Sequence, residues 1–254
     1  MKLRSRQILR LDISLADVVT TANAVCGFLA IAVAARVWTG NPGGSNAGIS
    51  DHDLILAAGL IVLGGLLDSV DGAVARWRGA SALGPHLEQM SDVVTFGVAP
   101  SVLFAVDATS YESPWAGLAL IVAGGYAVAV LLRLARYAAE PDEAQGRGFQ
   151  GLPSPPSAMA AVSLVVLHPP APIVLAAMAA LSVLMIASFP FPRITHATAP
   201  LMGVWWALAA TVALGLLPPW PVAAFTLATI CGLLLVAPAR LAGHRLRSPS
   251  SSRP

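Results

Sequence analysis

The chain has 254 residues, of which 56% are hydrophobic and only 11% charged, and its mean hydropathy is +0.74; soluble domains carry roughly 25% charged residues. A net charge of +2, with the basic residues in small scattered clusters, excludes an ordinary nucleic-acid binder, and two cysteines exclude a disulfide scaffold. The apolar runs are long and continuous instead of alternating, which disfavours a β-barrel and leaves an all-α, polytopic membrane helix bundle.

In chain order, residues 1–14 carry Lys2, Arg4, Arg6 and Arg10 and read as a cytoplasmic or interfacial segment. Ser14 followed by Asp17 forms a capping box that starts the first helix. Apolar runs between Pro, Gly and charged breaks predict spans near 15–38, 54–76, 87–106, 115–137, 155–168, 171–188, 198–217 and 220–239, about eight in all. The first run is too long for a signal-peptide core and is expected to stay as a span. The fifth is short and ends at His168-Pro169-Pro170, so the fifth and sixth form either two helices or one broken element. Cys26 and Cys231 each lie inside an apolar run and read as packing residues. Residues 15–240 thus make one transmembrane domain, and 241–254 a disordered cytoplasmic tail.

The basic residues give an independent test of this layout. With the N-terminus in the cytoplasm, every Lys and Arg of the 15 except Arg36 falls in the N-terminal segment, in alternate turns (Arg76, Arg78; Arg133, Arg136, Arg147; Arg193) or in the tail. The opposite turns contain none. Both termini are therefore expected in the cytoplasm, with Arg36 snorkelling from the outer end of the first span. Trp38, Trp115 and Trp220 lie near outer boundaries and read as an interfacial belt.

Acids are scarce, yet Asp68, Asp71, Glu88 and Asp92 gather where the second span ends and the third begins. Asp68 and Asp71 are i,i+3, Glu88 and Asp92 are i,i+4, so each pair projects from one face of its helix. A single such pair is most often a set of snorkelling charges; four acids on two adjoining helices suggest a function. Converging carboxylates repel one another unless a cation compensates them. All-oxygen ligation without Cys or His suits Mg²⁺, Mn²⁺ or Ca²⁺ and argues against zinc. Gly72 permits close approach to the backbone, and Arg76, one turn on beside Ala75, offers a fork for phosphate oxygens. Carboxylates, metal and arginine at a membrane surface point to phosphoryl-type substitution.

The run D-S-V-D-G-A-V-A-R from Asp68 to Arg76, followed by G-P-H-L-E-Q-M-S-D from Gly84 to Asp92, resembles the signature of the CDP-alcohol phosphatidyltransferases. Glu88 stands where the family usually has its third Asp, and the spacer after Arg76 is one residue shorter than is common. Within the family, S-D-V-V-T-F-G-V-A-P from Ser91, T-T-A-N-A-V-C-G-F-L-A-I from Thr20, and L-R-L-A-R-Y with the later G-L-P-S-P resemble the phosphatidylserine synthase branch.

That resemblance implies a six-helix core extended by two C-terminal helices, a homodimer, and a polar cavity open to the cytoplasm at the cell membrane. It implies that Asp68, Asp71, Glu88 and Asp92 hold two divalent ions, Mg²⁺ or Mn²⁺, with Asp92 also the general base. Gly72, Ala75, Arg76, Ser81 and Gly84 would bind the donor CDP-diacylglycerol. A small alcohol, L-serine first among the candidates, would then attack the lipid-linked phosphorus and CMP would leave.

Arg133 and Arg136, at i,i+3 near the end of the fourth span, are candidates for binding the acceptor, or anchor the span by the positive-inside rule. Tyr137-Ala138 after Arg136 departs from the branch's usual Phe and Asn. Residues 141–151 read as a loop, and Gly151-Leu152-Pro153-Ser154-Pro155 as a rigid turn. His86 reads as an interfacial bystander, and His168 and His196 as residues at span ends bound to water or headgroups. Another acceptor (glycerol phosphate or inositol phosphate), a membrane transporter and a non-catalytic homologue remain as alternatives; for the transporter, acids at one membrane face and the lack of an inverted repeat are unfavourable.

Overall fold

The computed structural model describes residues 13–39, 49–79, 81–109, 114–139, 149–191, 199–213 and 215–247. Among them the regular structure is helical apart from one two-residue pairing, with short turns between the helices. The helices are α1 (Leu15–Thr39), α2 (Asp51–Arg78), α3 (Gly84–Asp92), a π-helical turn (Val93–Val98) that runs on into α4 (Ala99–Thr109), α5 (Ala116–Ala139), α6 (Ser154–Leu167), α7 (Ala171–Ile186), α8 (Ala199–Ala213) and α9 (Pro219–Arg247). Since α3, the π turn and α4 form one rod, the described residues make eight helices. Four are long and apolar enough to cross a bilayer: Leu15–Arg36, Asp51–Arg78, Gly84–Thr109 and Ala116–Ala139. The later apolar helices are shorter.

Local chemistry sets the ends. Ser14 and Asp17 form the expected capping box: the Ser14 amide donates to Asp17 Oδ2 at 2.7 Å and the Asp17 amide donates to Ser14 Oγ at 3.2 Å. Ser50 caps α2 by accepting from the Asp53 amide at 3.1 Å. Gly79, at φ 92, ends that helix. Prolines occupy the first turns of α3, α6 and α7, where the missing N–H costs nothing.

The fifth and sixth runs are two helices. They part at His168, whose backbone is left-handed at φ 46, ahead of Pro169 and Pro170. His168 is not simply a headgroup-binding residue: its Nε2 lies 3.4 Å from Asp107 Oδ1, joining the ends of α6 and α4. Arg36, expected to snorkel, lies 4.0 Å from Asp53 at the start of α2. Helix α9 continues to Arg247, into the stretch read as a tail, and residues 248–254 lie outside the described residues. So do residues 1–12, which hold the basic N-terminal cluster, and Arg147, Arg193 and His196.

The interior is built around Ile61, Phe96, Leu103, Phe104 and Tyr126, all with at most 1% exposure. Outward faces carry Phe28, Ile121, Val183 and other large apolar residues, as a bundle solvated by lipid requires. The contact among α1, α2 and the π turn is set by glycines. A Cβ on Gly27 would stand 2.6 Å from Thr95 Oγ1 and 2.8 Å from its Cα, and one on Gly64 would stand 2.5 Å from Thr95 Cγ2. Small residues let helix backbones approach this closely in membranes.

Gly27→Ala should therefore force α1 and the π turn apart and lower stability by about 2 kcal/mol. Thermal unfolding in detergent checks this, with Gly59→Ala, whose added Cβ meets nothing within 4 Å, expected to leave the melting temperature unchanged or slightly higher.

Candidate active site

The expected acids come together at one end of the bundle, where α2 finishes and α3 begins. The carboxyl groups of Asp68 and Asp92 lie close enough to interact directly. Two carboxylates so placed repel each other unless a cation compensates them. Asp71 and Glu88 are close enough to act electrostatically on Asp68 and on each other, and Glu88 acts on Asp92. Asp71 and Asp92 are buried, Asp68 half-buried and Glu88 exposed.

Helix α1 holds this group in place, through polar side chains spaced for one helix face. Thr20 Oγ1 donates to Asp71 Oδ2 at 2.6 Å. Ser91 Oγ donates to the Thr20 carbonyl at 3.0 Å, and Thr95 Oγ1 to the Asn23 carbonyl at 2.9 Å. These two bonds, on either side of Asp92 in sequence, fasten α3 and the π turn along α1. The π turn begins directly after Asp92 and changes which residues face α1, a device common next to functional side chains.

The turn between α2 and α3 is organised by Asp17, whose role sequence reading limited to a helix cap. Asp17 is 2% exposed. Ser81 Oγ donates to its Oδ1 at 3.0 Å and in turn accepts from the amides of Leu83 and Gly84 at 3.2 and 2.9 Å. Ser81 and Gly84, two of the expected donor-binding residues, are thus fixed on one turn. Gly72 and Ala75 are half-buried on α2, and Arg76 is exposed there, with its Nη1 3.5 Å from where a Cβ on Gly72 would lie.

The two arginines of α5 separate. Arg133 is 7% exposed, donates from Nη1 to Ser154 Oγ at 2.9 Å and interacts electrostatically with Asp92. Arg136 instead binds main-chain carbonyls, Ile186 at 2.7 Å and Gln150 and Met185 each at 3.3 Å. There Phe149–Gln150 pairs antiparallel with Pro190–Phe191. Gly151, at φ 75, packs so tightly that a Cβ would lie 2.6 Å from the Met185 carbonyl oxygen. Arg136 therefore secures the segment leading into α6, while Arg133 faces the acids.

The donor set suits a hard divalent cation: oxygen ligands from four neighbouring carboxylates, with Asp92 Oδ1 buried and without a hydrogen-bond partner. Among the described residues no group of three or more Asp, Glu, His or Cys side chains is drawn into a ready metal cage. Asp71, held by Thr20, and Glu88, turned outward, leave the four acids near one another without a common point.

Sequence reading missed Thr20, Ser91, Thr95 and Ser154. The available signal was a polar series inside apolar helices: Asp17, Thr20 and Asn23 recur at i,i+3, and Ser91 and Thr95 at i,i+4.

Comparison with known proteins places the chain among enzymes of one family. A family model described as CDP-alcohol phosphatidyltransferase matches residues 13–217. A CDP-diacylglycerol–serine O-phosphatidyltransferase of Mycobacterium leprae is 36% identical over 124 residues, 46% of this chain and 40% of the relative. The chain thus spans less than half the length of that relative. An archaetidylserine synthase of Methanothermobacter thermautotrophicus is 32% identical over 72% of the chain and 71% of its own length. A CDP-diacylglycerol–serine O-phosphatidyltransferase of Bacillus subtilis is 31% identical over 69% and 88%.

Asp17→Ala removes both the carboxylate half of the α1 capping box and the anchor of Ser81. It should cost about 1–2 kcal/mol and speed hydrogen exchange at the Leu83 and Gly84 amides, while amides within α7 exchange as in the parent. Asp17→Asn, which keeps a capping oxygen, should fall between the two.

Proposed function

The chain belongs to the CDP-alcohol phosphatidyltransferase family, and on that premise we propose that it transfers a phosphatidyl group from CDP-diacylglycerol to the hydroxyl of L-serine, releasing CMP. The observation that carries this reading is the meeting of Asp68 and Asp92, with Asp71 and Glu88 beside them, at the end of α2 and the start of α3. Serine is favoured over other alcohols because the three relatives above are named for serine products or acceptors. Arg133, buried beside Asp92, supplies a guanidinium for the acceptor's carboxylate.

Asp68, Asp71, Glu88 and Asp92 would hold two divalent ions, Mg²⁺ or Mn²⁺. Bound there, the ions supply neutralisation of the pyrophosphate charge. Arg76 and the Ser81–Gly84 turn bind and orient the CDP portion, with Gly72 and Ala75 keeping the α2 surface low beneath it. The acceptor hydroxyl oxygen forms a bond to the phosphorus that carries the diacylglycerol. Its proton passes to the Asp92 carboxylate, and the phosphorus–oxygen bond to CMP breaks. Arg136 is a positioning residue in this scheme, because its guanidinium is committed to main-chain carbonyls.

The distribution of Lys and Arg supports a cell-membrane protein with this site facing the cytosol. A single domain over 15–240 and a homodimer complete the reading, the dimer by family resemblance.

The test is CMP release from CDP-diacylglycerol by detergent-purified protein with Mg²⁺ or Mn²⁺, comparing L-serine, glycerol 3-phosphate, inositol 1-phosphate and no alcohol. Serine-dependent release is expected, abolished by chelation and lowered about a thousandfold in Asp92→Asn. Release with a different alcohol alone would move the protein to another acceptor. No release with any alcohol would sink the catalytic reading in favour of a non-catalytic homologue.

A further inference from the structure

One helical turn beneath the carboxylates lies a side chain that the scheme above does not use. Asn23 has 0% exposure. Neither its Oδ1 nor its Nδ2 has a hydrogen-bond partner among the described residues. It is wedged against α2, since a Cβ on Gly64 would stand 2.7 Å from Asn23 Oδ1.

Its depth follows from helix spacing. Gly64 precedes Asp68 by one turn of α2, Thr95 follows Asp92 by about one turn, and Asn23 follows Thr20 by about one turn of α1. The elements that present Thr20, Asp68 and Asp92 in one layer therefore present Asn23 in the next layer inward. The Thr95 hydroxyl is already committed to the Asn23 carbonyl, so it cannot donate to the amide.

Packing does not explain an amide here. Leucine has nearly the same branched shape, and burying it would avoid the cost of an unsatisfied donor and acceptor in an apolar bundle. A second buried atom without a partner belongs to the layer above, Asp92 Oδ1. Asn23 offers N–H donors and a carbonyl acceptor, whereas Asp92 offers an acceptor. A hydroxyl group complements both: its hydrogen can go to the carboxylate while its lone pairs accept from the amide.

We propose that Asn23 and Asp92 form a hydroxyl-binding site at the floor of the carboxylate cluster, the hydroxyl donating to Asp92 Oδ1 and accepting from Asn23 Nδ2. The inference rests on the reading of Asp92 as the proton acceptor. The hydroxyl belongs either to the acceptor alcohol or to a water molecule that positions Asp92, and kinetics separate the two.

Asn23→Leu removes both polar atoms at constant shape. Its melting temperature should equal or exceed that of the parent, and KM for CDP-diacylglycerol should not change. If the acceptor's hydroxyl binds here, KM for serine rises at least tenfold and the serine-dependent rise in melting temperature is lost. If water binds here, kcat falls at least tenfold with both KM values and the serine-dependent shift retained. Asn23→Ser, which keeps a polar atom and adds no bulk beside Gly64, is the companion should the leucine variant fail to fold, with a smaller loss of the same kind expected. Variants that fold and keep kcat, KM and the thermal shift within twofold of the parent would overturn the proposal. Wild-type protein that releases no CMP with any alcohol would instead overturn the reaction assigned above, and the serine-dependent thermal shift would still test the Asn23 site.

Discussion

Everything at the polar end of this bundle depends on holding like charges together in a molecule otherwise made of apolar helices. Asp68 and Asp92 meet although they belong to different helices, and Asp71 and Glu88 add charge beside them. Repulsion among four carboxylates favours separation of α2 from α3. What opposes it is α1, which contributes no carboxylate to the cluster itself. Its Thr20 hydroxyl holds Asp71, its Thr20 and Asn23 carbonyls hold Ser91 and Thr95, and its Asp17 holds the connecting turn through Ser81.

That division of labour explains why α1 and the rod from Gly84 are packed through glycine and threonine. Hydrogen bonds from Ser91 and Thr95 to main-chain carbonyls of α1 require the backbones to approach closely, and larger side chains at Gly27 or Gly64 would prevent this. The acids and the close helix contact are thus two parts of one arrangement. Arg133 completes it from α5 by placing a cation near Asp92, anchored by Ser154 at the start of α6.

Much of this was legible in the sequence, because membrane helices announce themselves through continuous apolar length and acids within them are rare. The positions of Asp68, Asp71, Glu88 and Asp92 followed from i,i+3 and i,i+4 spacing alone, as did the Ser14–Asp17 cap. What the sequence hid were partners distant along the chain. Asp17 and Ser81 are 64 residues apart, and Arg136 and Ile186 are 50 apart. Nothing local distinguishes Arg133 from Arg136, yet one faces the acids and the other binds carbonyls. Helix rotation and tertiary docking decide that difference, and neither is written in the three-residue spacing between them. The break at His168 was partly visible in the following prolines, but its pairing with Asp107 again joins two distant segments.

Glu88 tests how far motif reading can go. Glu88 stands at an exposed position, whereas Asp71 is buried and fastened to Thr20. The four acids therefore differ in setting: Asp71 is held by Thr20, Asp92 is buried, Asp68 is half-buried beside it, and Glu88 is exposed. An acid at the open edge of the cluster and buried acids at its floor give the group one accessible and one enclosed side. The extra methylene of glutamate at position 88 lies on the exposed side of the cluster, where a longer side chain meets the least crowding.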